Sequence, residues 1–217
     1  MRIAVIGTQR SGKTTLVEHF QSCEGIHIVR EAALDLILEL GSNIVFDPNF
    51  QDMLFAEQTR REIEADRLLR EGASCAWLCD RTIIDNLVYI RYLRSIYTGE
   101  QSPEEVYPIR AEWLEYIRGN PFDLILLCDP GDIELTAGMN VAWEGDSPGA
   151  REGLESERRI RAEIHGLYIE VLRELGLEYT LLSGSVESRT AYVERFIRAS
   201  EIAIAREGVS SQVEIVM

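Results

Sequence analysis

Apolar runs recur along the chain at residues 2–6, 26–30, 75–79, 123–128 and 178–182, each short and rich in Ile, Val, Leu or aromatic side chains. Runs of this length without alternation predict strands buried on both faces, as in a parallel sheet. Helical spacing between and after them predicts helices over 13–22, 31–40, 49–71, 82–97, 103–118, 151–175 and 186–206. Asp47-Pro48 interrupts the pattern before the long third helix, and Gly119-Asn120-Pro121 stops another before the fourth strand. Gly176 is placed as the glycine just past a helix C-terminus. Strand and helix alternate throughout, which predicts an α/β sandwich of three layers in one domain over residues 1–217. Residues 131–153 carry several glycines and little periodicity and read as a loop over the site. With the start of the following helix they form an expected lid at about 131–161. Residues 209–217 read equally as a frayed tail or a stray edge strand.

Composition narrows the class. The chain has 217 residues, 46% hydrophobic and 27% charged, enough for a substantial core. No apolar run approaches a membrane span, and the N-terminus reads as a core strand rather than a signal peptide, so a cytoplasmic protein is expected. Cys23, Cys75, Cys79 and Cys128 form no C-x-x-C pair. Cys75 and Cys79 would lie about 13 Å apart on one strand face, too far to bridge, so buried reduced thiols are expected. The net charge of −15 disfavours a broad nucleic-acid footprint, although a local basic channel stays open.

The chemistry starts at Gly7-Thr8-Gln9-Arg10-Ser11-Gly12-Lys13-Thr14, a complete G-x-x-x-x-G-K-[ST] pattern between the first strand and a helix opening Thr14-Thr15-Leu16. A chance match in a glycine-bearing turn is the alternative; the strand before and the helix after argue against it. Gly7 and Gly12 allow successive N–H groups to turn inward, and the helix N-terminus adds positive potential. Lys13 is suited to β- and γ-phosphates and the Thr14 hydroxyl to Mg²⁺. These residues, with Gln9, Arg10, Ser11 and Thr15, predict a nucleoside triphosphate cradle.

Two further strands end in acids. Asp80, closing the third run, is suited to hold Mg²⁺ opposite Thr14, and Arg81 to steer a substrate phosphate or hydroxyl. The plainer alternative is capping of the next helix by Asp80 and Thr82. Glu31, after the second run, is suited to accept the proton of an attacking hydroxyl, or else to open its helix as a dipole-stabilised acid. Asp85, Tyr89 and Tyr92 share a helix face and form an expected acceptor pocket, with core packing the competing reading for the tyrosines. Gln58, with Phe55 nearby, is a further acceptor-binding candidate.

Arg151, Arg158, Arg159 and Arg161 fall within eleven residues of an acidic chain. Arginine forks on a lid can close on a transferring phosphoryl group, while interspersed glutamates allow ordinary i,i+4 pairs. Arg151 lies on the loop side and leads as lid arginine, with Arg158 and Arg159 behind it. Gly184 and Ser185 follow the fifth strand, where a nucleotide base can lie against backbone. His19, His27 and His165 lack metal spacing and read as structural.

Together these segments resemble the small P-loop kinases of the AAA-domain family that includes the nicotinamide riboside kinase domain of NadR. The resemblance rests on residues 7–14, Arg30-Glu31, Asp80-Arg81 with Asp85 and Tyr89, the run 121–127, Trp143 with Asp146 and Arg151, and residues 181–185 with Arg189. The chain is similar also to deoxynucleoside and thymidylate kinases. The likeness implies a five-stranded parallel sheet of order 2-3-1-4-5, a strand-end Glu as base, and a [DE]-R motif that organises metal and phosphates. The Asp-Gly-x-Arg usual before the lid is lengthened here to Gly145-Asp146-Ser147-Pro148-Gly149-Ala150-Arg151.

The leading expectation is an ATP- and Mg²⁺-dependent kinase acting on a small hydroxylated acceptor, a nucleoside or nucleotide, with a homodimer possible. Lys13, Glu31, Asp80, Arg81 and Arg151 are its expected catalytic set. A nucleotide-dependent switch without an acceptor, and a kinase of modified bases in DNA, are the competing readings.

Overall fold

The computed structural model describes residues 1–47, 49–131 and 150–213, with side chains described except at 46, 150–154 and 201–213. Its elements run β1 (Arg2–Ile6), α1 (Lys13–His19), β2 (Ile26–Val29), α2 (Ala32–Leu40), α3 (Phe50–Arg70), β3 (Ala76–Asp80), α4 (Ile83–Ile96), α5 (Pro103–Val106), α6 (Ala111–Gly119), β4 (Leu124–Cys128), α7 (Ala150–Leu175), β5 (Thr180–Leu182) and α8 (Val186–Val213). The strands pair in parallel in the order β2-β3-β1-β4-β5. This is the sheet the resemblance implies.

Strand alternation sorts the core. Ala4, Ile6, Ile125 and Leu127 face α4, α6 and α7, whereas Ile3, Val5, Leu78 and Leu126 face α1 and α8. Trp77 and Cys79 point to the first of these faces, against Ala65 of α3. Asp80 pairs in register with Val5 and therefore lies on the α1 side. The sheet thus delivers Asp80 toward the loop that follows β1.

Several boundaries differ from the sequence pattern. Helical spacing predicts one helix over 103–118, but the chain forms α5 and α6 separately. Pro108 lacks an N–H and disfavours helical angles at Tyr107, which adopts φ −121°, ψ 73°. Helix α1 tightens after His19 into a 3₁₀ turn over Phe20–Ser22. Another such turn occupies Ser42–Phe46, where no element was expected. Helix α8 runs on to Val213, replacing the expected frayed tail or edge strand over its described part. Gly176 closes α7 as the pattern predicts. It has φ 66°; its N–H donates to Arg173 O and that of Leu177 to Leu172 O, a Schellman arrangement. All four cysteines are free, but only Cys79 and Cys128 are buried; Cys75 is exposed, at the edge where β3 begins.

One buried carboxyl sits inside the α3 layer. Glu62 is 3% exposed and accepts hydrogen bonds of 3.0 Å from Gln58 Nε2 and from the Tyr116 hydroxyl. Burial pushes its carboxyl up to about 7, against the pull of those two donors.

Two measurements test this packing. Leu126 is fully buried at the sheet centre. Leu126→Ala should lower the unfolding free energy in urea by about 2–5 kcal/mol. For Glu62, the folded state holds the proton more tightly than the unfolded chain, whose reference value is 4.5. Its stabilising contribution is therefore full below that value and is lost as pH rises through about 7. Compared with Glu62→Gln at each pH, the wild type should lose about 3 kcal/mol between pH 4.5 and about 8; parallel profiles would refute the assignment.

Candidate active site

The loop between β1 and α1 is shaped by its glycines. Gly7 has φ 140°, and a Cβ there would lie 3.0 Å from Cys128 O. Gly12 takes φ 81° as the N-cap of α1, with no side chain bonded to the first turn and no acid within it. The helix N-terminus therefore keeps its donors and its positive potential for an incoming anion. Lys13 Nζ donates to Thr8 O at 2.8 Å, folding the ammonium back over the loop. Burial lowers its pKa, as does Arg81, while Asp80, Glu31 and Asp85 pull the other way. Ser11 Oγ is buried without a hydrogen-bond partner among the described residues. Thr15 lies beside Thr14 on α1 and is exposed.

At the end of β3 the Thr14 hydroxyl donates to Asp80 Oδ2 at 2.7 Å. Asp80 Oδ1 is buried and has no hydrogen-bond partner among the described residues. An orphaned carboxylate oxygen beside a threonine hydroxyl is a hard-oxygen set that fits Mg²⁺, an ion that takes few protein ligands alongside nucleotide phosphates. Burial raises the Asp80 pKa, against Lys13 and Thr14. Thr82 caps α4 as the capping alternative has it, but with Asp85 and not Asp80: Thr82 Oγ1 accepts from Ile84 N at 3.1 Å, and Asp85 Oδ2 accepts from Thr82 N at 2.8 Å. Asp80 is thus released from the capping alternative.

Arg81 is the most constrained residue at this edge. Its φ of 70° is a left-handed conformation, costly for a residue with a side chain. The backbone is held on both sides. Its N–H donates to Val5 O at 3.0 Å, and its carbonyl accepts from Cys79 Sγ at 2.7 Å and Gln58 Nε2 at 3.3 Å. The side chain, 15% exposed, places Nε 2.7 Å from Glu31 Oε1 and Nη1 3.5 Å from Asp85 Oδ1, and its guanidinium lies over the Tyr89 ring at 5.0 Å. Burial opposes the charge, but Glu31, Tyr89, Tyr168 and Asp85 outweigh it and keep Arg81 protonated. Glu31 occupies the N-cap position of α2 without a side-chain capping bond. Its carboxylate goes to Arg81 instead.

The other acceptor-side candidates divide. Tyr89 joins the group, its hydroxyl 3.1 Å from Gln9 Oε1, which also accepts from Thr8 Oγ1 at 2.8 Å. Tyr92 packs half-buried against the α4–α6–α7 core. Gln58 turns its amide inward, to Glu62, Cys79 and the Arg81 carbonyl. Asp85 has both oxygens engaged: besides Thr82 N, it takes the Tyr168 hydroxyl at 2.5 Å, which also lies 3.0 Å from Gly7 O. Burial raises the Asp85 pKa, with Arg81 the largest opposing influence.

On the opposite side of the loop two arginines meet backbone. Arg189, 1% exposed, donates from Nη1 to Ser11 O, from Nη2 to Asp129 O and from Nε to Gly184 O, all at 2.8–2.9 Å. Arg161, 3% exposed, donates from Nη2 to Arg10 O at 3.1 Å and Pro130 O at 2.6 Å. Arg10 has φ 55° and reaches Glu157 at 3.7 Å. Ser185 Oγ accepts from Ser188 N at 3.3 Å and so caps α8. Arg158 and Arg159 are exposed on α7. Arg151 begins that helix, but its side chain lies outside the described residues, as do Trp143, Asp146 and residues 132–149 of the expected lid. Sequence reasoning assigned nothing to Tyr168 or Glu62 and gave Arg161 no separate role. The one available signal was their place on the inward stripe of α7 or α3.

The fold is shared with solved structures of low identity. Deoxyadenosine kinase from M. mycoides, with products dCMP and a flexible dCDP bound, aligns at TM-score 0.57 and 11% identity, covering 92% of this chain and 100% of that one. Thymidylate kinase from Candida albicans aligns at 0.57 and 14% identity, covering 92% of each chain. The NadR protein in complex with NR aligns at 0.56 and 20% identity over 84% of this chain but only 44% of that one. No curated protein sequence matches the chain. A family profile described as an AAA domain matches residues 2–189, and with its phosphate-type loop, strand-end acids and 2-3-1-4-5 sheet the chain belongs to that family.

Proposed function

We propose that the protein is a P-loop kinase that moves the γ-phosphoryl group of ATP to a hydroxyl of a nucleoside-type small molecule. The arrangement of Glu31 and Arg81 on one side of the residue 7–14 loop carries this reading. A triphosphate cradle alone serves switches and motors; a carboxylate fixed 2.7 Å from a buried guanidinium beside that cradle suits an attacking hydroxyl. Similarity to deoxyadenosine kinase, thymidylate kinase and NadR supports the same class.

The acceptor oxygen forms a bond to the γ-phosphorus as the bond from phosphorus to the β–γ bridging oxygen breaks, leaving ADP. The hydroxyl proton passes to the Glu31 carboxylate, whose position the Arg81 ion pair fixes. Lys13 exchanges Thr8 O for the β- and γ-phosphate oxygens, while the N-terminus of α1 meets the remaining charge. Thr14 and Asp80 would hold Mg²⁺, which would supply neutralisation of the triphosphate charge when bound. Gly184 and Ser185, on the β5 side, suit the nucleotide base, and the lid role falls to the start of α7 at Arg151. The four free thiols agree with a reducing, cytoplasmic setting, and no described helix is long and apolar enough to cross a membrane.

Incubation with γ-labelled ATP and a panel of nucleosides and nucleotides tests the reading; label released only to water, or not at all, overturns it. Lys13→Ala should cut transfer by about 10²–10⁴-fold while the thermal unfolding midpoint stays within a few degrees of wild type. Undiminished turnover in the folded variant would count against the whole assignment.

A further inference from the structure

The peptide between Arg81 and Thr82 is pinned at both ends. Its carbonyl accepts from Gln58 Nε2 at 3.3 Å and from Cys79 Sγ at 2.7 Å, and its N–H donates to Asp85 Oδ2 at 2.8 Å. Burial pushes the Cys79 thiol up, so the sulfur keeps the proton it donates. A thiol is a weak donor, which leaves the Gln58 amide as the stronger hold on the carbonyl. Arg81 can leave its φ of 70° for an ordinary conformation only if the peptides flanking it turn. Val5 O holds the first of them through the Arg81 N–H at 3.0 Å, and Gln58, Cys79 and Asp85 hold the second.

Gln58 is buried and turns its amide nitrogen inward. Besides the Arg81 carbonyl, Nε2 lies 3.0 Å from Glu62 Oε1 and 3.0 Å from Cys79 Sγ. Glu62, also buried, is held on its other oxygen by the Tyr116 hydroxyl at 3.0 Å. An amide that faces two oxygen acceptors must present its nitrogen to both, so Glu62 fixes which way Gln58 points. Helix α3 reaches the partner of Arg81 as well. One turn along from Gln58, Arg61 Nη1 donates to the carbonyls of Arg30 at 3.2 Å and Glu31 at 3.4 Å. One helix therefore grips the backbone on both sides of the 2.7 Å contact between Glu31 and Arg81.

We propose that Gln58 is a positioning residue for phosphoryl transfer: by holding the Arg81 carbonyl it fixes the left-handed turn that aims the guanidinium at Glu31. The proposal rests on the kinase reading, in which Glu31 takes the acceptor proton, and adds to it a residue that touches no substrate. The Gln58 amide meets Arg81 at the backbone and not at the open edge, which separates this role from the acceptor contact that its helix position allowed. Loss of its donor leaves the carbonyl to the thiol, and Arg81 relaxes away from Glu31. A misplacement of about 1 Å at a reacting group is enough to slow a reaction by about 100-fold. The loop at residues 7–14 makes no hydrogen bond to Gln58 among the described residues, so ATP binding is left intact.

Arg81 Nε is buried beside Glu31, which gives a readout independent of turnover. In ¹⁵N-labelled protein the Arg81 Nε–H, assigned by its loss in Arg81→Gln, should exchange with solvent at least about 10-fold faster in Gln58→Leu than in the wild type. Ile197→Ala, which opens a hole in the core on the α8 side, should lower the unfolding midpoint and leave that exchange at the wild-type rate. For turnover, γ-labelled ATP is offered with thymidine, cytidine, guanosine or uridine, and kinetics are followed on the one that the wild type labels. Gln58→Leu should lower kcat by about 10–100-fold, with KM for ATP within about twofold of wild type. The same change in an Arg81→Gln background should alter kcat by less than about twofold. If Gln58→Leu does not fold, Gln58→Leu/Glu62→Leu removes donor and acceptor together and takes its place in each measurement. A folded variant that keeps either the wild-type exchange or the wild-type kcat overturns the proposal, and so does an equal loss of kcat in both Arg81 backgrounds. If the wild type labels none of the four, the kinase reading fails for these acceptors, and the Nε–H exchange alone decides whether Gln58 holds the pair.

Discussion

The β2–β3 side of the candidate site depends on the Arg81 guanidinium, held between the carboxylates of Glu31 and Asp85 and over the face of Tyr89. Around that one residue five elements converge: α2 through Glu31 and α4 through Asp85 and Tyr89 at its side chain, α3 through Gln58 and β1 through Val5 O at its backbone, and α7 through Tyr168 on Asp85. A buried ion pair of this kind adds little net stability once desolvation is counted. The left-handed backbone of Arg81 adds a further cost. Both are tolerated because the surrounding hydrogen bonds allow one geometry. The Tyr168 hydroxyl lies 2.5 Å from the same Asp85 oxygen that stands 3.5 Å from Arg81, so α7 packs against this group as well.

The sheet was legible in the sequence because parallel strands buried on both faces leave continuous apolar runs. Asp80 and Glu31 were legible for a related reason: an acid that ends such a run stands at the edge where ligands of α/β sheets gather. The break between α5 and α6 was obscured because Val106, Ile109 and Trp113 carry apolar spacing across Pro108, and all three pack on one core. Gln58 illustrates a deeper limit. Its helix position allowed a substrate contact, but the direction of its amide is decided by the Arg81 carbonyl and Cys79, 23 and 21 residues away. Periodicity reports the face of a helix, not which buried acceptor lies opposite it.

The arginines show the same limit and resolve it chemically. Arg161 and Arg189 find backbone carbonyls 151 and 178 residues away, contacts that leave no trace in local composition. A planar fork with several fixed donors suits that task, because it can satisfy two or three carbonyls of a non-repeating loop at once. The loop these arginines hold contains Lys13, whose compact ammonium on a flexible stem rests on Thr8 O. An otherwise lysine-free chain places its one lysine inside this loop and uses arginines to tie the loop's carbonyls to α7 and α8.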